Sequence, residues 1–125
     1  MTATTCAVLT HSRRSVRCAS AMYARLPDSP RDVVTVTIDG EPFDARAGDT
    51  VAAALLASGR LATRTTPISG APRGPFCMMG VCFDCLVTID DVPNQQACLV
   101  TVVPGTRIRT QHGNVAPLPA GGEWR

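Results

Sequence analysis

The sequence predicts one α+β domain, on the strength of its length, a β-hairpin pattern and a helix placed between strands. The chain has 125 residues, which is the size of a single domain. The segment VVTVTID from Val33 alternates β-branched residues, and Asp39-Gly40 is a two-residue hairpin signal before a second strand to Arg46. One helix follows this hairpin, and the remaining strands come after it. This order of strands and helix predicts an α+β fold.

The helix is predicted over the segment VAAALLASG. Asp49 or Thr50 precedes it and can accept hydrogen bonds from the N–H groups of the first turn, whereas Gly59 suits the position just after the last turn. Alanine and leucine favour the helix itself. Three residues near helical spacing are expected to pack on the sheet: Val51, Leu55 and Leu56.

The second half of the chain alternates between irregular segments and strands. Residues 60–76 contain proline and glycine without periodicity, which predicts an extended, irregular run. A strand is predicted over residues 86–90, a turn over 91–94 and another strand over 95–103. A last strand is expected around Ile108.

We expect three regions in the chain: an N-terminal extension over residues 1–30, a folded domain over 31–112 and a peripheral tail over 113–125. The extension has several arginines and no acid before Asp28, a composition that resembles an organellar transit peptide. Disorder, or a true translation start at Met22, explains this composition better than targeting does. Cys6 and Cys18 are then incidental thiols.

Composition and missing motifs exclude several classes of function. Residues 22–125 carry nine arginines against ten acids, so no nucleic-acid surface is expected. No apolar stretch approaches the roughly 20 residues of a transmembrane segment. The glycine patterns that bind dinucleotides or nucleoside triphosphates are missing. Only 4% of the residues are aromatic, so we expect a cofactor or a subunit interface to add stability to a modest core.

Four cysteines carry the chemistry of this sequence. Cys77, Cys82, Cys85 and Cys98 form the pattern C-x4-C-x2-C-x12-C, whose first three positions have the spacing of plant-type [2Fe-2S] sites. Two irons bridged by two sulfides need four thiolates that approach from opposite sides. One tight loop can supply three of them, and a separate element can supply the fourth and close the site.

The residues around these cysteines suit a loop that wraps such a cofactor. Gly74 and Gly80 allow the backbone to come close to the inorganic sulfides and to donate N–H hydrogen bonds. Four apolar side chains are expected to keep water away from it: Met78, Met79, Val81 and Phe83.

Other uses of the cysteines fit the spacing less well. A four-cysteine zinc site is usually built from two C-x2-C units, and only the pair Cys82 and Cys85 has that spacing here. A disulfide framework would go with secretion, and no secretory signal is present. A C-x2-C redox motif prefers a strand-to-helix setting, whereas a strand is predicted after Cys85.

The segment GAPRGPFCMMGVCFDCLVTIDDVPNQQACLVTV resembles the small [2Fe-2S]-binding subunits of bacterial multi-subunit amine and amino-acid dehydrogenases. This family includes the gamma subunits of D-hydroxyproline and proline dehydrogenases, the small subunits of opine oxidases and a hydrogen cyanide synthase subunit. A related domain lies at the N-terminus of sarcosine oxidase alpha chains. The resemblance spans about residues 31–112, and its most specific part is R-G-P-x-C-x-M-G-x-C-x-x-C, from Arg73 to Cys85.

This resemblance implies a β-grasp fold in which Cys77, Cys82, Cys85 and Cys98 ligate a [2Fe-2S] cluster. It also implies a hetero-oligomer with larger dehydrogenase or oxidase subunits that bear FAD. We expect a cytoplasmic bacterial protein, associated with the inner face of the membrane only through that complex. The substrate, whether proline, hydroxyproline, an opine, glycine or sarcosine, would be selected by a pocket on another chain.

Two hypotheses of different classes remain open at this point. In the first, the chain is an electron-transfer subunit without an acid, base or nucleophile of its own, and passes single electrons from a partner flavin to an acceptor. In the second, a cluster or a zinc ion staples a structural docking module. A free ferredoxin is a variant of the first hypothesis, but the nearly neutral charge of residues 22–125 favours a permanent interface.

Two charged residues near the cysteines have ambiguous roles. Arg73 could offset the negative charge of a cluster or could be a solvated turn residue. Asp84, between two of the cysteines, could contact a partner, although exposed acids are common in such loops.

Overall fold

The computed structural model describes residues 23, 25–27 and 31–113. Within these residues the chain forms seven strands and one helix. In chain order they are β1 (Val33–Ile38), β2 (Glu41–Arg46), α1 (Val51–Ala57), β3 (Arg64–Thr65), β4 (Pro72–Arg73), β5 (Leu86–Ile89), β6 (Val92–Gln96) and β7 (Arg107–Arg109).

The predicted hairpin opens the fold. β1 and β2 pair antiparallel from Ile38 opposite Glu41 to Val33 opposite Arg46. The two turn residues have φ angles of 49° at Asp39 and 88° at Gly40, as a tight hairpin turn requires. Alternate residues of β1 point into the core, which confirms the period-two pattern seen in the sequence: Val34, Val36 and Ile38.

Helix α1 begins as predicted. The Thr50 hydroxyl accepts a hydrogen bond of 3.1 Å from the N–H of Ala53, which satisfies one of the free donors of the first turn. Gly59, with a φ of 83°, lies just after the helix and ends it. Val51 and Leu55 are fully buried against the sheet. The prediction for Leu56 was wrong, because this side chain lies around the helix from Leu55 and borders a surface groove, where it is only half-buried.

The main sheet has the strand order β2-β1-β7-β5-β6. β7 runs parallel to β1, with Ile108 opposite Ile38, and antiparallel to β5, with Ile108 opposite Ile89. β7, the last strand among the described residues, therefore lies in the centre of the sheet, where Ile108 is buried and its two neighbours are exposed. Branched aliphatic side chains dominate the core: Val36, Ile38, Val51, Leu55, Val87 and Ile108. The mixed sheet with one short helix confirms the predicted α+β, β-grasp fold.

The predicted boundaries of β6 were wrong. The chain turns at Asp90 and Asp91, whose φ angles are 48° and 69°, and β6 starts at once with Val92. Pro93 is tolerated because β6 is an edge strand of the sheet, where a missing N–H costs little. The strand ends at Gln96, and residues 97–99 form a turn instead of the predicted continuation to 103. This turn places Cys98 opposite the loop that holds the other three cysteines of the motif.

The segment predicted as irregular contains a small hairpin. β3 and β4 pair antiparallel, with Arg64 opposite Arg73 and Thr65 opposite Pro72. Strands of two residues are too short to produce a recognisable alternating pattern in the sequence. The hairpin leads directly into the cysteine-rich loop.

Residues outside the main domain are described only in part. Most of the expected extension, with Cys6 and Cys18, and the tail beyond Gly113 lie outside the described residues. Arg25 is described, and its guanidinium forms an ion pair of 2.6 Å with Asp49. In the part of the chain that the structure describes, no helix is long and apolar enough to cross a membrane.

Candidate metal centre

The loop between β4 and β5 turns its backbone N–H groups toward its own sulfurs. The N–H of Met79 donates to Cys77 Sγ and the N–H of Asp84 donates to Cys82 Sγ, each at 3.4 Å. Left-handed backbone at Met78, with a φ of 55°, and at Phe83, with a φ of 57°, produces these tight turns. A backbone N–H that donates to a sulfur stabilises negative charge on it.

The four thiols of the motif lie in two pairs. Cys82 is the neighbouring thiol that acts on Cys77, and Cys98 is the one that acts on Cys85. All four are free thiols. Among the described residues, no three Cys, His, Asp or Glu side chains surround a point that one metal ion could occupy.

The two pairs have different environments. Cys77 and Cys82 are half-buried, whereas Cys85 and Cys98 belong to the core and are 2% and 6% exposed. Backbone N–H groups, first that of Met79, lower the pKa of the Cys77 thiol to about 6. Burial raises the pKa of the Cys85 thiol, and the neighbouring Cys98 adds to the effect. The Cys77 thiol is therefore more easily ionised near the surface, whereas the Cys85 thiol favours its neutral form in an apolar setting.

Thr63 joins the two ends of the cysteine loop. Its N–H donates to the carbonyl of Arg73 at 2.7 Å, and its hydroxyl lies 3.3 Å from the carbonyls of both Arg73 and Asp84. The side chain is fully buried. Sequence analysis missed this residue, because a single threonine in an irregular segment gives no signal of such a contact.

Gly74 allows the closest approach in the loop. A Cβ atom at this position would lie 1.8 Å from the carbonyl oxygen of Leu61, so no larger residue fits without a backbone movement. The role predicted for this glycine was close approach to the sulfides. The structure shows that its lack of a side chain serves packing against Leu61.

The two ambiguous charged residues have different settings. Asp84 forms an ion pair of 3.0 Å with Arg64 of β3, and both side chains are largely buried. This internal contact ties the loop to the small hairpin. The Arg73 residue is exposed beside the loop.

The apolar side chains of the loop are largely exposed. Phe76 is 82% exposed, and Met79 and Val81 are each 68% exposed. The expected shielding of a cluster by Met78, Met79, Val81 and Phe83 stays a prediction. We call the exposed apolar side chains around the loop the apolar collar: Phe76, Met78, Met79, Val81, Phe83 and Leu99.

A β-grasp domain with two pairs of thiols around a loop rich in N–H donors defines an iron-sulfur protein of the ferredoxin-like class. The family model of the 2Fe-2S iron-sulfur cluster binding domain matches residues 31–113. The chain belongs to this family, and its cofactor is a [2Fe-2S] cluster.

Individual relatives agree with this assignment. The chain is 44% identical over 80 residues to the hydrogen cyanide synthase subunit HcnA of Pseudomonas aeruginosa, covering 62% of this chain and 74% of the relative. The corresponding protein of Pseudomonas protegens is 37% identical over 78 residues, covering 62% and 72%.

A solved structure is similar to the fold as a whole. L-proline dehydrogenase from P. horikoshii superposes with a TM-score of 0.58 at 26% identity. The match covers 69% of this chain but only 17% of the dehydrogenase chain, so it compares a domain with a small part of a larger protein.

Proposed function

We propose that this chain is the electron-transfer subunit of a heteromeric, flavin-dependent amine or amino-acid oxidoreductase, with its cluster held by Cys77, Cys82, Cys85 and Cys98. The observation that carries the proposal is the arrangement of these thiols in two pairs. Each iron of a [2Fe-2S] cluster takes two protein thiolates when all four ligands are cysteine. The bound cluster accepts and releases one electron at a time.

The two pairs of cysteines lie at different depths, so the site has a buried side and a side near the surface. Cys85 and Cys98 anchor the site in the core, whereas Cys77 and Cys82 lie in the surface loop. A redox centre on a partner can come nearest from the side of the loop. The N–H of Met79 favours the anionic form of Cys77 there, and Thr63 keeps the two ends of the loop together.

The apolar collar supports a permanent partner at the same side. Exposed apolar side chains in one contiguous region are typical of a protein interface. A larger subunit that covers the collar would exclude water from the cluster. The relatives described as subunits of hydrogen cyanide synthase support assembly with other chains.

In this proposal the chain contains no substrate site. A flavin on the partner takes electrons from the C–N bond of the substrate, and this chain carries them singly to an acceptor. We place the complex in the cytoplasm, where thiols stay reduced and available for cluster assembly.

The first test is electron paramagnetic resonance of the anaerobically purified protein before and after dithionite. Iron, zinc and acid-labile sulfide are assayed on the same sample. We expect no signal in the oxidised protein, an S = 1/2 signal after reduction, and equal amounts of iron and sulfide. Zinc without sulfide would instead make the chain a structural docking module.

Serine variants test the ligand assignment. Replacing Cys82 by serine should abolish or severely distort the cluster, because serine offers a harder, more basic ligand than a thiolate. The matched control is Cys18→Ser, which should leave the spectrum unchanged. A normal spectrum in Cys82→Ser would contradict the assignment.

The electron-transfer role is tested in the complex. The chain is co-expressed with a flavoprotein subunit, which the proposal predicts to be encoded beside it, and proline, hydroxyproline, glycine and sarcosine are added in turn without oxygen. We expect one of them to produce the reduced-cluster signal within the time of one turnover. Flavin reduction by a substrate with an oxidised cluster throughout would refute electron transfer.

A further inference from the structure

The peptide unit between Gly80 and Val81 is held from both sides. Its carbonyl oxygen accepts a hydrogen bond of 2.8 Å from the side-chain amide of Gln96. Its N–H, on Val81, lies on the side of Cys77 and helps to lower the pKa of that thiol. The peptide is trans, so its carbonyl and its N–H point in opposite directions along one dipole. The Gln96 amide and the Cys77 sulfur are therefore linked through a single rigid group.

The turn that follows Gln96 also packs against this part of the loop. A Cβ on Gly80 would lie 2.8 Å from a methyl carbon of Leu99, and Gly80 has a φ of +82°. The N–H of Leu99 donates to the carbonyl of Gln96 at 3.0 Å, which closes the turn at the end of β6. The tip of the cysteine loop thus fits against one short turn, and Gln96 makes the polar contact.

We infer that Gln96 is a positioning residue that fixes the Gly80–Val81 peptide with its N–H toward Cys77 and thereby raises the reduction potential of the cluster. The inference rests on the proposed ligation by Cys77. In this inference a neutral side chain on a strand outside the cysteine loop helps to determine the reduction potential of the cluster.

The physical reason is the charge that reduction adds. One electron makes the cluster and its thiolates more negative, so an N–H donor to a ligand sulfur stabilises the reduced form more than the oxidised form. A hydrogen bond to the carbonyl end of the same peptide polarises its N–H and strengthens that donor. Loss of the Gln96 amide weakens the donor and leaves the peptide free to rotate. Because glutamine is neutral, this change leaves the net charge of the protein unaltered.

Two variants remove the amide without adding charge. Gln96→Met keeps an unbranched side chain of similar length, and Gln96→Leu gives a second apolar replacement. Gln95→Met is the matched control, because Gln95 precedes Gln96 on β6, is also half-buried, and points to the other face of the strand. The wild-type and variant holoproteins are titrated potentiometrically, and the reduced-cluster signal is followed by electron paramagnetic resonance.

We expect both Gln96 variants to shift the midpoint to a more negative potential. The equilibrium constant for one-electron reduction should fall roughly fivefold, as for the weakening of one hydrogen bond, which is about 40 mV at 59 mV per tenfold change. The Gln95→Met protein should keep the wild-type midpoint.

A merely structural role for Gln96 would lower cluster content without moving the potential of the clusters that remain. A wild-type midpoint in Gln96→Met, or an equal shift in Gln95→Met, would therefore overturn the inference. A wild-type protein without a reducible cluster would instead refute the proposed function, so the two failures are distinguishable.

Discussion

Replacing Gly74 by alanine tests the view that the cysteine loop is fixed by packing at its entry. The new Cβ would lie 1.8 Å from the carbonyl oxygen of Leu61, whereas ordinary contact begins at 3.4 Å. The two segments must separate by about 1.6 Å, and this movement breaks the bond of 2.7 Å from the N–H of Thr63 to Arg73. A lost buried hydrogen bond costs about 1 kcal/mol. Strain in the crowded loop adds about 1 to 3 kcal/mol.

A smaller effect acts in the opposite direction. Alanine restricts the unfolded chain more than glycine does, which returns about 0.4 to 1 kcal/mol. The net loss of stability should therefore be about 1 to 3.5 kcal/mol. Iron content of the purified protein should fall as well, since the displaced segment leads directly to Cys77.

The assay is urea unfolding of the holoprotein, followed by far-UV circular dichroism and by bleaching of the cluster absorption, with iron measured per chain. The control is Gly70→Ala in the adjacent turn, where a Cβ meets nothing within 4 Å and the φ of +66° is the only source of strain. This control should lose about 1 to 2 kcal/mol and keep its iron. Equal stability and full iron content in the two variants would refute the packing argument.

Two further predictions concern the acid stability of the fold and the apolar collar. Burial raises the pKa of Asp49, but the ion pair with Arg25 and the bond from the Arg46 N–H outweigh it and hold the pKa below 3.8. The carboxylate therefore stabilises the fold above pH 3.8 and loses this effect as the pH falls through its folded pKa. The Asp49→Asn protein should unfold more easily by about 1 to 2 kcal/mol at neutral pH, and the gap to wild type should close below pH 3.8; a constant gap would contradict the assigned cause. Met79→Glu should weaken association with the proposed flavoprotein subunit roughly tenfold and leave the cluster spectrum unaltered. The control is Val33→Glu on β1, because Val33 is 67% exposed and Met79 is 68% exposed, and this change should leave both association and spectrum unaltered. Equal weakening by the two changes would show that the collar is not part of the interface.

The features that the sequence could predict are those with local causes. Asp39-Gly40 specified a hairpin because the turn needs two residues with positive φ, and Thr50 specified the helix start because its hydroxyl reaches the first turn. The spacing of the cysteines indicated the cofactor class in the same way. Each signal lies within a few residues of the structure that it determines.

The features that could not be predicted depend on contacts between distant segments or on competing local signals. The sequence around Pro93 and Asn94 resembles a turn, but the adjacent pair of aspartates adopts positive φ angles and turns the chain earlier. Thr63 acts on carbonyls 10 and 21 positions along the chain, and Gln96 on a carbonyl 16 positions away. Neither residue belongs to a motif. Their positions follow only from the strand pairing that brings the segments together.

The arrangement of the four cysteines links the stability of the domain to its proposed partner. The inner pair, Cys85 and Cys98, is part of the hydrophobic core beside Val87 and Ala97. In the proposed ligation the Cys85 thiol must lose its proton, which burial opposes, so the bond energy of the cluster would have to compensate within the core itself. The outer pair lies in the loop bordered by the collar, where a partner would cover it. One cofactor held by both pairs would therefore couple folding of the core to the geometry of the interface. A substitution in the core beside the inner pair, or in the collar beside the outer pair, should then change the reduction potential of the cluster.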